Sequence, residues 1–301
     1  MKTPVVLIIF NRPDTTARVF EAIRQARPLK LLIVADGARI DRTGEAEKCQ
    51  QARDICDRID WDCEVLKNYS DINLGCGVRV STGISWVFEN VEEAIILEDD
   101  CLPHPTFFKY CEELLIKYRD DERIMHITGT NPLVESSSNT HSYCFSHFAG
   151  IWGWASWRRA WKFYSYEMKL LPQALEAKFL SSIFLEPNNC LYWENVYTKI
   201  FNDPIKISWD YQWLFTRWSQ NGLGIIPAVN LVSNIGFGID ATHTFGNSPL
   251  AELDMKELGF PLKHPSCIVR DIEFDNIVNS KFFNQSLFRR IKLKLDTIIS
   301  T

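Results

Sequence analysis

The chain of 301 residues has no apolar run approaching the roughly eighteen residues that a membrane-spanning helix requires. Met1-Lys2-Thr3 leads straight into a strand-like segment without the apolar core of a signal peptide, so the expected compartment is the cytoplasm. Positive charge is not in excess: the formal net charge is -5, which argues against a dedicated nucleic-acid binder. Nine cysteines stand singly with no CxxC spacing, and their odd number fits neither a disulfide framework nor a thiolate zinc site. They read as small buried apolar residues in a reducing compartment. No internal repeat is visible. What remains is an ordinary globular composition, 46% hydrophobic and 24% charged, with ample material for one large core or two small ones. Ten tryptophans are unusual, and they crowd between Trp152 and Trp218.

Apolar runs alternate with helical patterns in the first half. Pro4 to Phe10, Leu31 to Ala35, Glu64 to Leu66, Ala94 to Leu97 and Ile124 to Thr128 read as strands, the longer ones buried on both faces. Between them, helices are predicted from Asp14, over 44–59, over 78–89 and over 105–118. Such alternation predicts an α/β fold with right-handed crossovers. Beyond residue 130 the alternation gives way to aromatic-rich segments, with a small polar stretch at 135–140.

The fourth strand ends in Glu98-Asp99-Asp100, and a buried strand carries charge only where it leaves its sheet. In open α/β sheets the carboxyl ends of strands are where ligands bind. Adjacent carboxylates repel, and a hard divalent cation is the usual remedy, although a solvated helix cap is the plainer reading of the triplet alone. Asp36 ends the second strand and Asn11-Arg12 the first, so all of these face one crevice; each also has an ordinary role in a turn, a cap or a surface charge. Gly75 and Gly77 allow close backbone approach or form a simple turn, and Arg79 at the next helix is suited to a phosphate or to the surface.

These residues, in order over most of 4–246, carry a resemblance. The chain is similar to the GT-A glycosyltransferases, and within them to the inverting N-acetylglucosaminyltransferase I family. The matching segments are Asn11-Arg12, Asp36, Ile96-Leu97-Glu98-Asp99-Asp100 with Pro105-Thr106-Phe107-Phe108, Phe148 to Trp154, and Trp209-Asp210-Tyr211-Gln212-Trp213. The resemblance implies a GT-A fold, a doubly wound mixed sheet flanked by helices. It implies a nucleotide-diphosphate sugar donor, a UDP-sugar by preference, and a glycan or other hydroxyl acceptor. It implies Mn2+ or Mg2+ on Asp100, donor contacts at Asn11, Arg12, Asp36, Gly75, Arg79, Glu98 and Asp99, and Asp210 as general base. The family has two acids between its tryptophans where this chain has Asp210-Tyr211-Gln212, and a nucleoside-side histidine where this chain has Arg79.

Three further expectations concern the second half. Gly153 and Trp154 are expected to contact sugar, while Trp157 and Trp161 are expected in the core. Asn234 to His243 is expected to close over a donor or to be an ordinary surface loop, with His243 within reach of the diphosphate in the first case. A basic amphipathic stripe over 282–298 is expected to pack on its own domain; the alternative is peripheral contact with an anionic membrane. The implied organisation is a nucleotide-sugar half at 1–129, an acceptor half of the same domain at 130–248 and an extension at 249–301. A sugar-phosphate nucleotidyltransferase and an inactive carbohydrate-binding protein of the same fold are the competing functions. The first is disfavoured because Asn11-Arg12-Pro13 offers no glycine-rich phosphate loop.

Overall fold

A computed structural model describes residues 1–133, 140–203, 205, 208–237 and 253–284. In the first half β1 (Val5–Ile9), α1 (Pro13–Ala26), β2 (Lys30–Ala35), α2 (Glu45–Cys56), β3 (Glu64–Tyr69), α3 (Cys76–Asn90) and β4 (Glu93–Glu98) alternate. Then come β5 (Cys101–Pro103), α4 (Pro105–Lys117), β6 (Ile124–Thr128), β7 (Tyr143–Ser146), β8 (Trp154–Trp157) and α5 (Arg158–Trp161). The remainder comprises α6 (Leu171–Glu176), α7 (Leu180–Ile183), α8 (Pro187–Asn202), α9 (Asp210–Ser219), β9 (Leu223–Pro227), β10 (Val232–Asn234) and α10 (Ile272–Val278), followed by a π-helical turn, Asn279–Phe283.

Eight strands form one mixed sheet in the order β3-β2-β1-β4-β8-β6-β9-β7. The expected architecture, a doubly wound mixed sheet flanked by helices, is therefore what the chain adopts. β1 runs parallel to both β2 and β4, with Val5 opposite Leu31 and Ile95. Successive strand residues point to opposite faces, and this divides the core in two. Val5, Leu7 and Ile9 meet Val19, Phe20 and Ile23 of α1 and Leu114 of α4 on one face. Val6 and Ile8 meet Val80, Ile84 and Val87 of α3 on the other. The near-continuous apolar runs follow from this two-sided burial.

The second half departs from the simple alternation. β8 inserts antiparallel between β4 and β6, and all four of its residues are buried. Its sequence, WASW, lacks polar alternation because no face is solvated, and at four residues it is too short to declare itself. β5 and β10 form a separate antiparallel pair, Cys101 to Pro103 against Val232 to Asn234. A third cluster packs Trp193, Tyr197, Phe215 and Trp218 against α10. There Asp275, 1% exposed, accepts from Ser146 and the His147 N–H and pairs with Arg270 at 2.5 Å. Phe282 and Phe283, the first members of the basic amphipathic stripe, pack against this cluster. The rest of that stripe, the 134–139 stretch and His243 lie outside the described residues. No helix among the described residues is long and apolar enough to cross a membrane.

His126 of β6 ties the two halves together. It is fully buried, stacks on Trp154 at 4.9 Å between centroids, and uses both ring nitrogens. Nδ1 accepts from Trp213 Nε1 at 3.0 Å, which leaves Nε2–H to donate to the Gly150 carbonyl at 2.8 Å. Burial, with Arg217 nearby, holds its pKa well below the usual value, so the ring is neutral. His126→Phe keeps an aromatic ring but orphans a buried N–H and a carbonyl, each worth roughly 1–3 kcal/mol. Urea unfolding is expected to show a lower midpoint of that order; an unchanged midpoint would show that the two bonds contribute nothing.

Candidate active site

The carboxyl ends of β1, β2 and β4 open onto a crevice of about 630 Å³. It brings together Asn11, Arg12, Asp36, Gly75, Arg79, Glu98, Asp99 and Asp100, every donor-side residue expected from the sequence. Their individual roles differ from one another.

Asp36 is almost wholly buried and already supplied with donors. Its carboxylate accepts from the backbone N–H groups of Gly37, Leu74 and Gly75 at 2.9–3.0 Å and from Asn73 Nδ2 at 3.1 Å. It thereby shapes the loop that delivers Gly75 to the crevice. The approach depends on Gly37, where an added Cβ would lie 2.5 Å from the Ile72 carbonyl carbon. Gly75 itself has φ +78, a conformation that suits glycine. Arg79 is likewise committed to the scaffold: Nε donates to the Ala35 carbonyl at 3.1 Å, and Nη2 donates to the Asn68 backbone and side-chain oxygens. Desolvation lowers its pKa. Asn11 donates to Glu45, which also pairs with Arg39 at 2.5 Å, and Arg39 lies 5.5 Å above the Phe10 ring. Arg39, Tyr166 and Glu167 line the crevice without having been singled out in the sequence. They stand in irregular segments, where no periodicity marks them.

The acids share one guanidinium. Arg12 Nη1 lies 2.6 Å from Asp100 Oδ2, both side chains being mostly covered. Asp99 accepts from the Phe10 N–H at 2.9 Å. Burial, then the neighbouring Asp100, pushes the Asp99 carboxyl up to about 7, while Arg12 and the Phe10 N–H act the other way. Glu98 is raised well above the usual carboxylate range by burial and by Asp100, Asp99 and Asp210. That last effect places Asp210 in the electrostatic neighbourhood of the triplet. Asp210 opens α9, where a negative charge is favoured by the helix dipole. The start of α9 is held by Trp213 on His126, by Trp209 stacked on Trp154 at 5.8 Å, and by Tyr164 donating to the Trp209 carbonyl.

On the opposite side, Trp154 does not face the crevice. It is 1% exposed and stacked among His126, Trp209, Trp161 and Trp213, so the expected sugar contact is a core residue instead. Trp157 and Trp161 are core residues as expected. Gly153 is buried at φ +58 with Val232 against it. The neighbouring partly exposed aromatic is Trp152, edge-on to Phe237 at 5.7 Å. Ile235 N–H donates to the Asp100 carbonyl at 2.8 Å, so residues 235–237 lie beside the acids.

No protein-family profile and no curated protein sequence matches the chain. Solved structures do. A UDP-glucose pyrophosphorylase complexed with UDP-glucose is 11% identical, covers 54% of this chain and 79% of its own, and has a TM-score of 0.33. The mannosyltransferase PcManGT from Pyrobaculum calidifontis, in complex with GDP-Man and Mn2+, is 12% identical over 53% of this chain and 46% of its own, with a TM-score of 0.34. An apo UDP-glucose pyrophosphorylase is 9% identical over 78% of this chain and 93% of its own, with a TM-score of 0.37.

The raised Asp99 pKa has a measurable consequence. An unfolded aspartate titrates near about 4, so the folded protein holds this proton more tightly and gains stability at low pH. That contribution is lost as pH rises from the unfolded value through about 7. Asp99→Asn keeps an acceptor for the Phe10 N–H and removes the ionisation. Its melting temperature relative to wild type is expected to climb between about pH 4 and about pH 7. A difference that stays flat with pH would exclude Asp99 as the titrating group.

Proposed function

We propose that the protein is a nucleotide-sugar-dependent, inverting glycosyltransferase, with a divalent cation held at Asp100. The observation that supports this most is the meeting of Glu98-Asp99-Asp100, at the end of β4, with Arg12 and Gly75 in one crevice, Asp210 being among the charges that act on Glu98. The crevice has the size of a small-molecule site. The finer assignment, to enzymes like the N-acetylglucosaminyltransferase I family and to a UDP-sugar, rests on the sequence motifs. Asp36, with four donors already on its carboxylate, is in this reading the organiser of the nucleoside side.

The donor chemistry of the site fits a hard cation. Asp100 offers a carboxylate oxygen that already attracts a positive group, Arg12. Among the described residues no three His, Cys, Asp or Glu side chains converge as a metal cage. A single carboxylate, completed by diphosphate oxygens and water, is how Mg2+-type ions bind at nucleotide sites. When bound, Mn2+ or Mg2+ at Asp100 would supply neutralisation of the diphosphate leaving group.

The chain's own residues do the rest. Arg12 offers a guanidinium to the diphosphate. Glu98 and Asp99 face the donor sugar and ribose, and in their protonated forms they can donate as well as accept hydrogen bonds. Asp210 takes the proton from the acceptor hydroxyl as it attacks the anomeric carbon from the face opposite the diphosphate. A general base contributes about 10²–10⁴-fold, so Asp210→Asn is expected to lose activity on that scale while still binding donor.

The assay is a panel of UDP-, GDP- and dTDP-sugars with Mn2+, read for released nucleoside diphosphate. Turnover by Asp210→Asn equal to wild type would remove Asp210 from the mechanism. Pyrophosphate formation would replace transfer by nucleotidyl chemistry. Silence and no donor binding across the panel would leave a carbohydrate-binding protein.

A further inference from the structure

The Arg12 and Asp100 side chains form a covered pair, which is an unusual state for a carboxylate expected to hold a metal. Their contact is 2.6 Å, with the two side chains 21% and 17% exposed. The cover is backbone: a Cβ added to Gly236 would lie 2.3 Å from Asp100 Oδ2 and 2.7 Å from Arg12 Nη1. Residue 236 is therefore compatible with this pair only as glycine. The position of the cover is fixed, since Gly236 N–H donates to Asn234 Oδ1 at 2.9 Å and Asn234 is paired with Cys101 in the β5–β10 ribbon.

Electrostatics explains why a cation of the chain's own occupies this place. Arg12 brings a full positive charge against the last of three successive acids, Glu98, Asp99 and Asp100, that line the same crevice. A divalent ion at the same carboxylate oxygen would meet the guanidinium at a distance where like charges repel by several RT even with substantial screening. The two cations compete for the same Asp100 oxygen, and a further negative charge arriving between them relieves that competition. A diphosphate changes the balance, because it supplies acceptors in the geometry that a guanidinium prefers.

We propose that Arg12 is a resident counter-cation that keeps Asp100 closed to a divalent ion until a nucleoside diphosphate draws the guanidinium onto its phosphates. This rests on the nucleotide-sugar reading of the same crevice. Donor and cation then bind as a coupled pair, each raising the affinity for the other by the same factor. The arrangement keeps the free protein from holding metal and couples capture of the ion to arrival of its substrate.

The test is Mn2+ binding followed by titration calorimetry, without nucleotide and with UDP or GDP. Wild type is expected to bind Mn2+ weakly alone and far more tightly with the nucleotide. Arg12→Gln is expected to bind Mn2+ alone roughly ten- to a hundredfold more tightly than wild type, the equivalent of one charge-assisted hydrogen bond. It should also lose most of the gain from nucleotide. Arg12→Lys, which keeps the charge, should exclude Mn2+ as wild type does. Gly236→Ala, whose methyl group has to part the pair, should raise nucleotide-free Mn2+ affinity with Arg12 still present, and it serves if Arg12→Gln does not fold. Nucleotide-free affinities of folded Arg12→Gln and Gly236→Ala equal to that of wild type would overturn the proposal. If neither nucleotide binds wild type but the variants still gain Mn2+, the counter-cation role stands and the nucleotide-sugar reading falls.

Discussion

Three carboxylates at the end of a buried parallel strand, served by one guanidinium, are the constraint around which this molecule is built. Isolated, such a cluster is unfavourable: burial and mutual repulsion drive Asp99 and Glu98 toward their neutral forms. Arg12 can reach Asp100 because β1 and β4 are adjacent and parallel, so their carboxyl ends emerge side by side. The Asp36 loop, the Gly75 turn and the residues around Gly236 then close round this centre from three directions. Were β1 and β4 antiparallel, these ends would emerge at opposite edges of the sheet.

The second half of the chain lines the crevice through Tyr166 and Glu167, but most of its tryptophans are core residues, and several of them hold α9. Trp209 and Trp213 bracket the first turn of that helix, and Trp154 and His126 receive them from the sheet. Aromatic mass here holds the start of α9, and with it the backbone of Asp210, against the sheet.

The fold was legible in the sequence wherever strands were long and buried on both faces, since β1, β2 and β4 leave uninterrupted apolar runs. The strands β5 and β7 to β10, three to five residues long and without a long apolar run, left no such signal. The lining of the crevice was legible because chain reversals at strand ends are where polar residues interrupt apolar ones. Trp154 was misread because a tryptophan beside a glycine looks alike whether it faces a sugar or a histidine; only the eight-stranded order, with β8 between β4 and β6, tells them apart. Arg39, Tyr166 and Glu167 had no pattern to expose them, being brought to the crevice by tertiary packing.

The two-stranded ribbon of β5 and β10 joins points far apart in the chain, the exit from the acids and the approach to residue 237. Three residue pairs set the register, and with it the place from which the following segment departs. A slip of that register would carry Ile235 and Gly236 with it and uncover the Arg12–Asp100 pair, so the ribbon is a splint for the cover over one ion pair.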